Sequence, residues 1–144
     1  MQKALTALLV VVAVGGTLWV SQAWTAWAPK KVDPLIAKFN ADSENLILGI
    51  QQYREFTGSY PTGNNAQIAK ALLGQGDKKV LILAIRQAKI NDKGEILDPW
   101  GTPLQFYFSH NEVMIRSAGP NKAWEDSGVG TSDDLYRCAS IDKK

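Results

Sequence analysis

Between Ser117 and Leu135 the chain collects residue types suited to holding a hard cation. Asn121, Glu125, Asp126, Asp133 and Asp134 offer side-chain oxygens, and Gly119, Gly128 and Gly130 let backbone carbonyls turn inward. The stretch runs for about 18 residues with little apolar content, so it is either mobile or held by something. An oxygen-rich flexible loop suits Ca²⁺, which takes about six to eight oxygens, carbonyls included. The spacing is not that of an EF-hand. Composition alone favours a solvated acidic loop built on Asx turns.

Catalytic chemistry finds less support. His110 is the only histidine and sits in Ser109-His110-Asn111-Glu112, which reads as a hairpin tip. It has no second nitrogen ligand and no nearby cysteine, so it reads as solvated. No nucleophile elbow or nucleophile–base pair is evident. The acids lie on one loop and form no glycosidase-like pair that the sequence can place. Cys138 is the only cysteine, which excludes an intrachain disulfide. It reads as a small, partly buried side chain; an intermolecular bridge or a reactive thiol is the sharper alternative. The expectation is a protein that is not an enzyme.

The charge is unevenly placed. Residues 1–32 carry Lys3, Lys30 and Lys31 and no acid, which leaves 13 basic and 14 acidic residues, net −1, for the rest. No basic patch is interleaved with aromatics, so nucleic acid is not an expected partner. With 144 residues, 45% hydrophobic and 21% charged, the chain suits one small domain plus an appendage.

The appendage is residues 1–32. Ala4 to Ala28 is interrupted only by Thr6, Thr17, Ser21, Gln22 and Thr25 among polar side chains. A run of about 20 apolar residues can cross a bilayer as a helix. Trp19, Trp24 and Trp27 gather at its C-terminal end, as an interfacial aromatic belt would. Ser21-Gln22-Ala23 and Ala26-Trp27-Ala28 also resemble signal-peptidase sites, but the run exceeds the usual apolar core of a signal peptide. Length favours a retained anchor. Lys30 and Lys31 beyond it leave orientation open.

Residues 33–144 must then supply the elements that position the loop. Asp33-Pro34 reads as a helix start. Leu35, Phe39, Leu46, Ile50 and Tyr53, reinforced by Ile36 and Ile47, form one apolar stripe, and Thr57-Gly58 ends the helix. Lys38, Asp42, Glu44, Gln51 and Arg54 fall on the other side. Tyr60-Pro61-Thr62-Gly63 is a turn. Asn65 is placed to cap a second helix reaching Leu73, with Ile68, Leu72 and Leu73 inward and Gly74 as its stop. Val80 to Ile85 fits a buried strand or a short helix continuing through Gln87 and Ala88; the helix is preferred. After Asp98-Pro99-Trp100-Gly101-Thr102-Pro103 the apolar period changes to two. Leu104, Phe106 and Phe108, answered by Val113 and Ile115, predict a hairpin packed on the long helix, which is an α+β arrangement.

Four short motifs stand in a suggestive order. They are Tyr53 through Thr62, Asp98 through Pro103, Arg116-Ser117-Ala118-Gly119-Pro120-Asn121, and Gly130-Thr131-Ser132-Asp133-Asp134-Leu135. Over about residues 33–137 the chain resembles the major pseudopilin family of type II secretion systems, within the type IV pilin-like group. The resemblance implies a long N-terminal helix, part membrane-embedded and part amphipathic, on a small antiparallel sheet. It implies a single-pass inner-membrane protein with a periplasmic head. Such subunits assemble through that helix, with copies of themselves or other pseudopilins, into a piston for protein export. It also implies calcium in the C-terminal loop. Carried over by motif position, the ligands are Asn121 and Asp134 with Asp133 adjacent, and Glu125 or Asp126 compensating for an asparagine where the family usually has aspartate. The N-terminus departs from the family pattern. Gly15 and Gly16 lie inside the apolar run, and no glutamate occurs before Glu44. The alternative is a membrane-tethered periplasmic pilin-like adaptor that binds a partner without polymerising.

Overall fold

A computed structural model describes residues 32–125 and 132–140. Residues 1–31 of the segment read as an anchor or signal (1–32) and the candidate ligand Asp126 lie outside the described residues. Among the described residues no helix is long and apolar enough to cross a membrane.

Helix α1 spans Pro34–Thr57, 24 residues. Asp33 caps it as its spacing predicts: Oδ1 accepts from the Leu35 amide at 2.8 Å, and Pro34 fills a first-turn position whose N–H would have no partner. Gly58 ends it at φ 78, in the left-handed region, and donates its N–H to the Arg54 carbonyl. Phe39, Leu46, Ile47, Ile50 and Tyr53 are buried, and Ser43 fills the gap in the stripe. Leu35, expected in the stripe, is 40% exposed. It lies in the first turn, before the helix reaches the core.

Helix α2 spans Asn65–Leu72, but its cap is Asn64 and not Asn65. Asn64 and Gln67 form a capping box, with the Gln67 amide donating to Asn64 Oδ1 and the Asn64 amide to Gln67 Oε1. Asn65 instead turns inward. Its Nδ2 donates to the carbonyls of Ile96 and Leu104, and its Oδ1 accepts from the Ile96 amide at 2.7 Å. One side chain thus ties α2 to two later segments.

The short helix expected over Val80 to Ile85, with its continuation through Gln87 and Ala88, does not form. Leu81 makes an antiparallel bridge with Leu73, and the Ile82 amide donates to the Leu72 carbonyl. Only one 3₁₀ turn follows, Leu83–Ile85. The burial pattern gives the reason: Ile82 and Ile85 are buried while Leu81 and Leu83 are exposed. The run feeds two side chains into the core and has no continuous apolar face.

Strands β1 (Gln105–Phe108), β2 (Glu112–Ser117) and β3 (Leu135–Ser140) form one antiparallel sheet in the order β1-β2-β3. The hairpin register pairs Phe106 with Ile115, so the alternating apolar row faces inward. Val113, Ile115 and Leu104 join Phe39, Leu46, Ile50, Ile68, Leu72 and Ile96 in the core. The α+β class is therefore present: two helices and one three-stranded antiparallel sheet share a single core. Strand β3 was not expected. Its half-buried row is Leu135, Arg137 and Ala139, and Arg137 pairs with Glu44 of α1. An arginine in that row hides the alternation.

His110 lies exposed at the hairpin tip. Cys138 is exposed, in place of the expected partial burial, because it sits across from Met114 on the outer face of β3.

Candidate metal centre

The acidic loop is anchored at its start by a buried carboxyl. Asp98, 2% exposed, accepts at Oδ1 from the amides of Trp100 and Thr102. At Oδ2 it accepts from Ser117 Oγ at 2.6 Å, and Ser117 Oγ in turn accepts from the Gly119 amide. The turn opened by Asp98-Pro99 is thereby pinned to the end of β2. Gly119 sits at φ 67, and a Cβ there would lie 2.3 Å from the Asp133 carbonyl oxygen. Only glycine lets the two ends of the loop approach so closely.

The chain then turns back through residues 119–122, and Asn121 organises it. Its Oδ1 accepts from the Ala123 amide, its backbone N–H donates to Asp133 Oδ2, and its Nδ2 donates to Glu125 Oε1 at 3.0 Å. Glu125 Oε2 accepts from the Asp133 amide. Asn121 therefore spends both side-chain polar atoms on the turn and on Glu125; the geometry gives it a positioning part beside the cluster.

Glu125, Asp133 and Asp134 each offer one carboxylate oxygen, and these oxygens lie within 4.8 Å of one another. Two ligands of one calcium ion, each about 2.3–2.6 Å from it, cannot be more than about 5 Å apart. The separation fits. Asp133 Oδ1 and Asp134 Oδ1 are buried and have no hydrogen-bond donor among the described residues. The Asp134 side chain is 0% exposed. A buried acceptor without a donor costs about 1–3 kcal/mol, and a cation held beside these carboxylates would offset that cost. The donor set is all oxygen, with neither nitrogen nor sulfur, which suits a hard ion such as Ca²⁺ over zinc. Further oxygens from carbonyls or water would complete the shell.

Of the residues the sequence singled out, Asp133 and Asp134 meet, Asn121 stands beside them, and Asp126 lies outside the described residues. Glu125, read from the sequence only as a compensating acid, supplies the third carboxylate. Arg116 was missed altogether. From the outer face of β2 its Nε donates to Asp134 Oδ2 at 2.7 Å, and its terminal nitrogen donates to the same oxygen and to the Glu125 carbonyl. The hydrogen bond with Asp134 holds the guanidinium above its ordinary pKa, against the opposing pull of burial. The Arg116 guanidinium also lies over the rings of Trp124 and Tyr136, at 5.1 and 5.5 Å from their centroids. Period-two placement could have put Arg116 on the outer face, but nothing in the sequence names its partner.

Comparison of the chain with family models, with curated proteins and with solved structures returns no significant match.

Proposed function

We propose that this chain is a pseudopilin-like structural subunit, anchored in the inner membrane, whose periplasmic head is braced by calcium at the base of its C-terminal loop. The observation that carries the reading is the trio Glu125, Asp133 and Asp134 with its two donorless buried oxygens. Calcium there would supply the positive charge that those oxygens lack. The loop's two flanks, the 119–125 turn and the lead-in to β3, would then be held together. The motif order is consistent with a pilin-like head, as is a 24-residue helix packed on a small antiparallel sheet. Leu48 and Phe56 stand exposed on α1, eight residues apart and near one face, where a neighbouring helix can pack.

The subunit reading is tested by crosslinking in native membranes through a photoreactive residue at Phe56. Ladders of self-adducts are expected. A single adduct with a different protein would replace the subunit by the tethered adaptor. That second reading is favoured by the apolar segment 4–28, which carries no acid.

The calcium reading has its own test. An ion bound only to the folded state stabilises it by about 2.7 kcal/mol when present at about 100 times its Kd. For a head of this size that corresponds to about 10 °C in melting temperature. The full chain in detergent is therefore expected to melt about 10 °C lower after chelation and to recover with added CaCl₂. A melt indifferent to both would remove calcium from the proposal.

A further inference from the structure

We infer that Arg116 is a built-in cation of this site, one that closes the loop base in the absence of a metal ion and thereby lowers the affinity for one. The inference rests on the calcium reading for its second half and on hydrogen-bond geometry for its first. Arg116 joins both ends of the loop, because it donates to the Glu125 carbonyl on one flank and to Asp134 Oδ2 on the other. Its donors reach only Oδ2 of Asp134, so Oδ1 remains without one, as does Oδ1 of Asp133. The guanidinium therefore serves one oxygen of Asp134 and leaves Oδ1 of Asp133 and Oδ1 of Asp134 for a second positive charge.

The charge balance follows. Three carboxylates against one guanidinium leave two negative charges, which one divalent ion neutralises. Removing the guanidinium leaves three negative charges and frees Asp134 Oδ2 to act as a ligand. Attraction for a divalent ion then rises, because like-charge repulsion between Arg116 and the ion has gone. The same removal opens the metal-free loop base. The side chain is suited to the part. Only 14% of it is exposed, it lies over the rings of Trp124 and Tyr136, and its planar fork serves two acceptors at once.

The test compares wild type, Arg116→Met and Arg116→Lys as full chains in detergent, by thermal melts with chelator or CaCl₂ and by calorimetric titration with CaCl₂. Arg116→Met is expected to melt lower than wild type in chelator, to gain more from calcium, and to bind it at least tenfold more tightly. Arg116→Lys keeps the charge but cannot span both acceptors, so it should lie between the two. It carries the comparison alone if the Met variant does not fold. A calcium-induced rise in the variants no larger than in wild type, with unchanged or weaker binding, overturns the inference. Wild type reports separately on the calcium reading. If wild type responds and the variants gain nothing, the inference falls and the calcium reading stands. If wild type is silent and the variants respond, Arg116 replaces the ion and only the native calcium reading falls. Silence in all three chains overturns both.

Discussion

Asp98→Ala is expected to lower the melting temperature by about 15 °C, the largest effect of any single polar substitution in the head. The carboxyl is buried and has no spare role: Oδ1 serves the amides of Trp100 and Thr102, and Oδ2 serves Ser117. Alanine leaves two N–H groups and one O–H without an acceptor. Each such group costs about 1–3 kcal/mol when buried. Trp100 and Thr102 are half-buried and recover some hydration, so a total of about 3–4 kcal/mol is the reasonable sum. Asp98→Asn separates geometry from acceptor count. It keeps the shape and one oxygen for the amide pair, but sets an NH₂ group against Ser117 Oγ. A loss of about 1–2 kcal/mol is expected for it. Thermal melts of both variants decide the matter. An Asp98→Ala melt within a few degrees of wild type would mean that the Asp98–Pro103 turn is held by its own backbone bonds, from the Asp98 amide to Thr102 and from Gly101 to Asp98. Because Ser117 passes the contact on to Gly119, the Ala variant should also respond less to calcium.

What the sequence reveals of this head depends on how far each residue's partner lies along the chain. The bounds of α1 were legible because Asp33, Pro34 and Gly58 act within a turn of themselves. The hairpin was legible because alternation needs only neighbours. Asn64 and Asn65 show where that stops. Either can cap a helix. Asn65 is diverted by backbone groups of Ile96 and Leu104, 31 and 39 residues away, and the cap falls to its neighbour. Strand β3 was hidden for the same reason, since Arg137 is tolerated on the half-buried face by Glu44, 93 residues earlier. At the candidate site the oxygen-rich composition pointed to the loop whose flanks bring the carboxylates of Glu125, Asp133 and Asp134 within 4.8 Å of one another. It could not show that Asn121 would turn its side chain to Glu125, or that Arg116 would reach across from the sheet. Composition locates an acidic loop. Only the approach of its two flanks decides which oxygens converge.

That approach is what Gly119→Ala should destroy. At φ 67 an alanine is strained by about 1 kcal/mol from backbone conformation alone. Its Cβ would also stand 2.3 Å from the Asp133 carbonyl oxygen and 3.0 Å from the Asp133 carbonyl carbon. Those are backbone atoms at the entry to β3, so relief requires moving the strand's lead-in or the turn itself. Either movement separates Asn121 from Asp133, whose contact is a 3.0 Å hydrogen bond. Gly101→Ala is the matched control. Gly101 also has positive φ, at 91, but a Cβ there meets nothing within 4 Å. The control is expected to cost about 1–2 kcal/mol and to keep the full calcium-induced rise in melting temperature. Gly119→Ala is expected to cost about 3 kcal/mol, to melt about 10 °C lower, and to lose that rise. The two melts, each with chelator and with CaCl₂, separate strain from site geometry. A Gly119→Ala chain that still gains as much from calcium as Gly101→Ala would show that the carboxylates converge without the close passage of residue 119 past Asp133. The two flanks would then be held together by Arg116, which joins the Glu125 carbonyl to Asp134 without that passage.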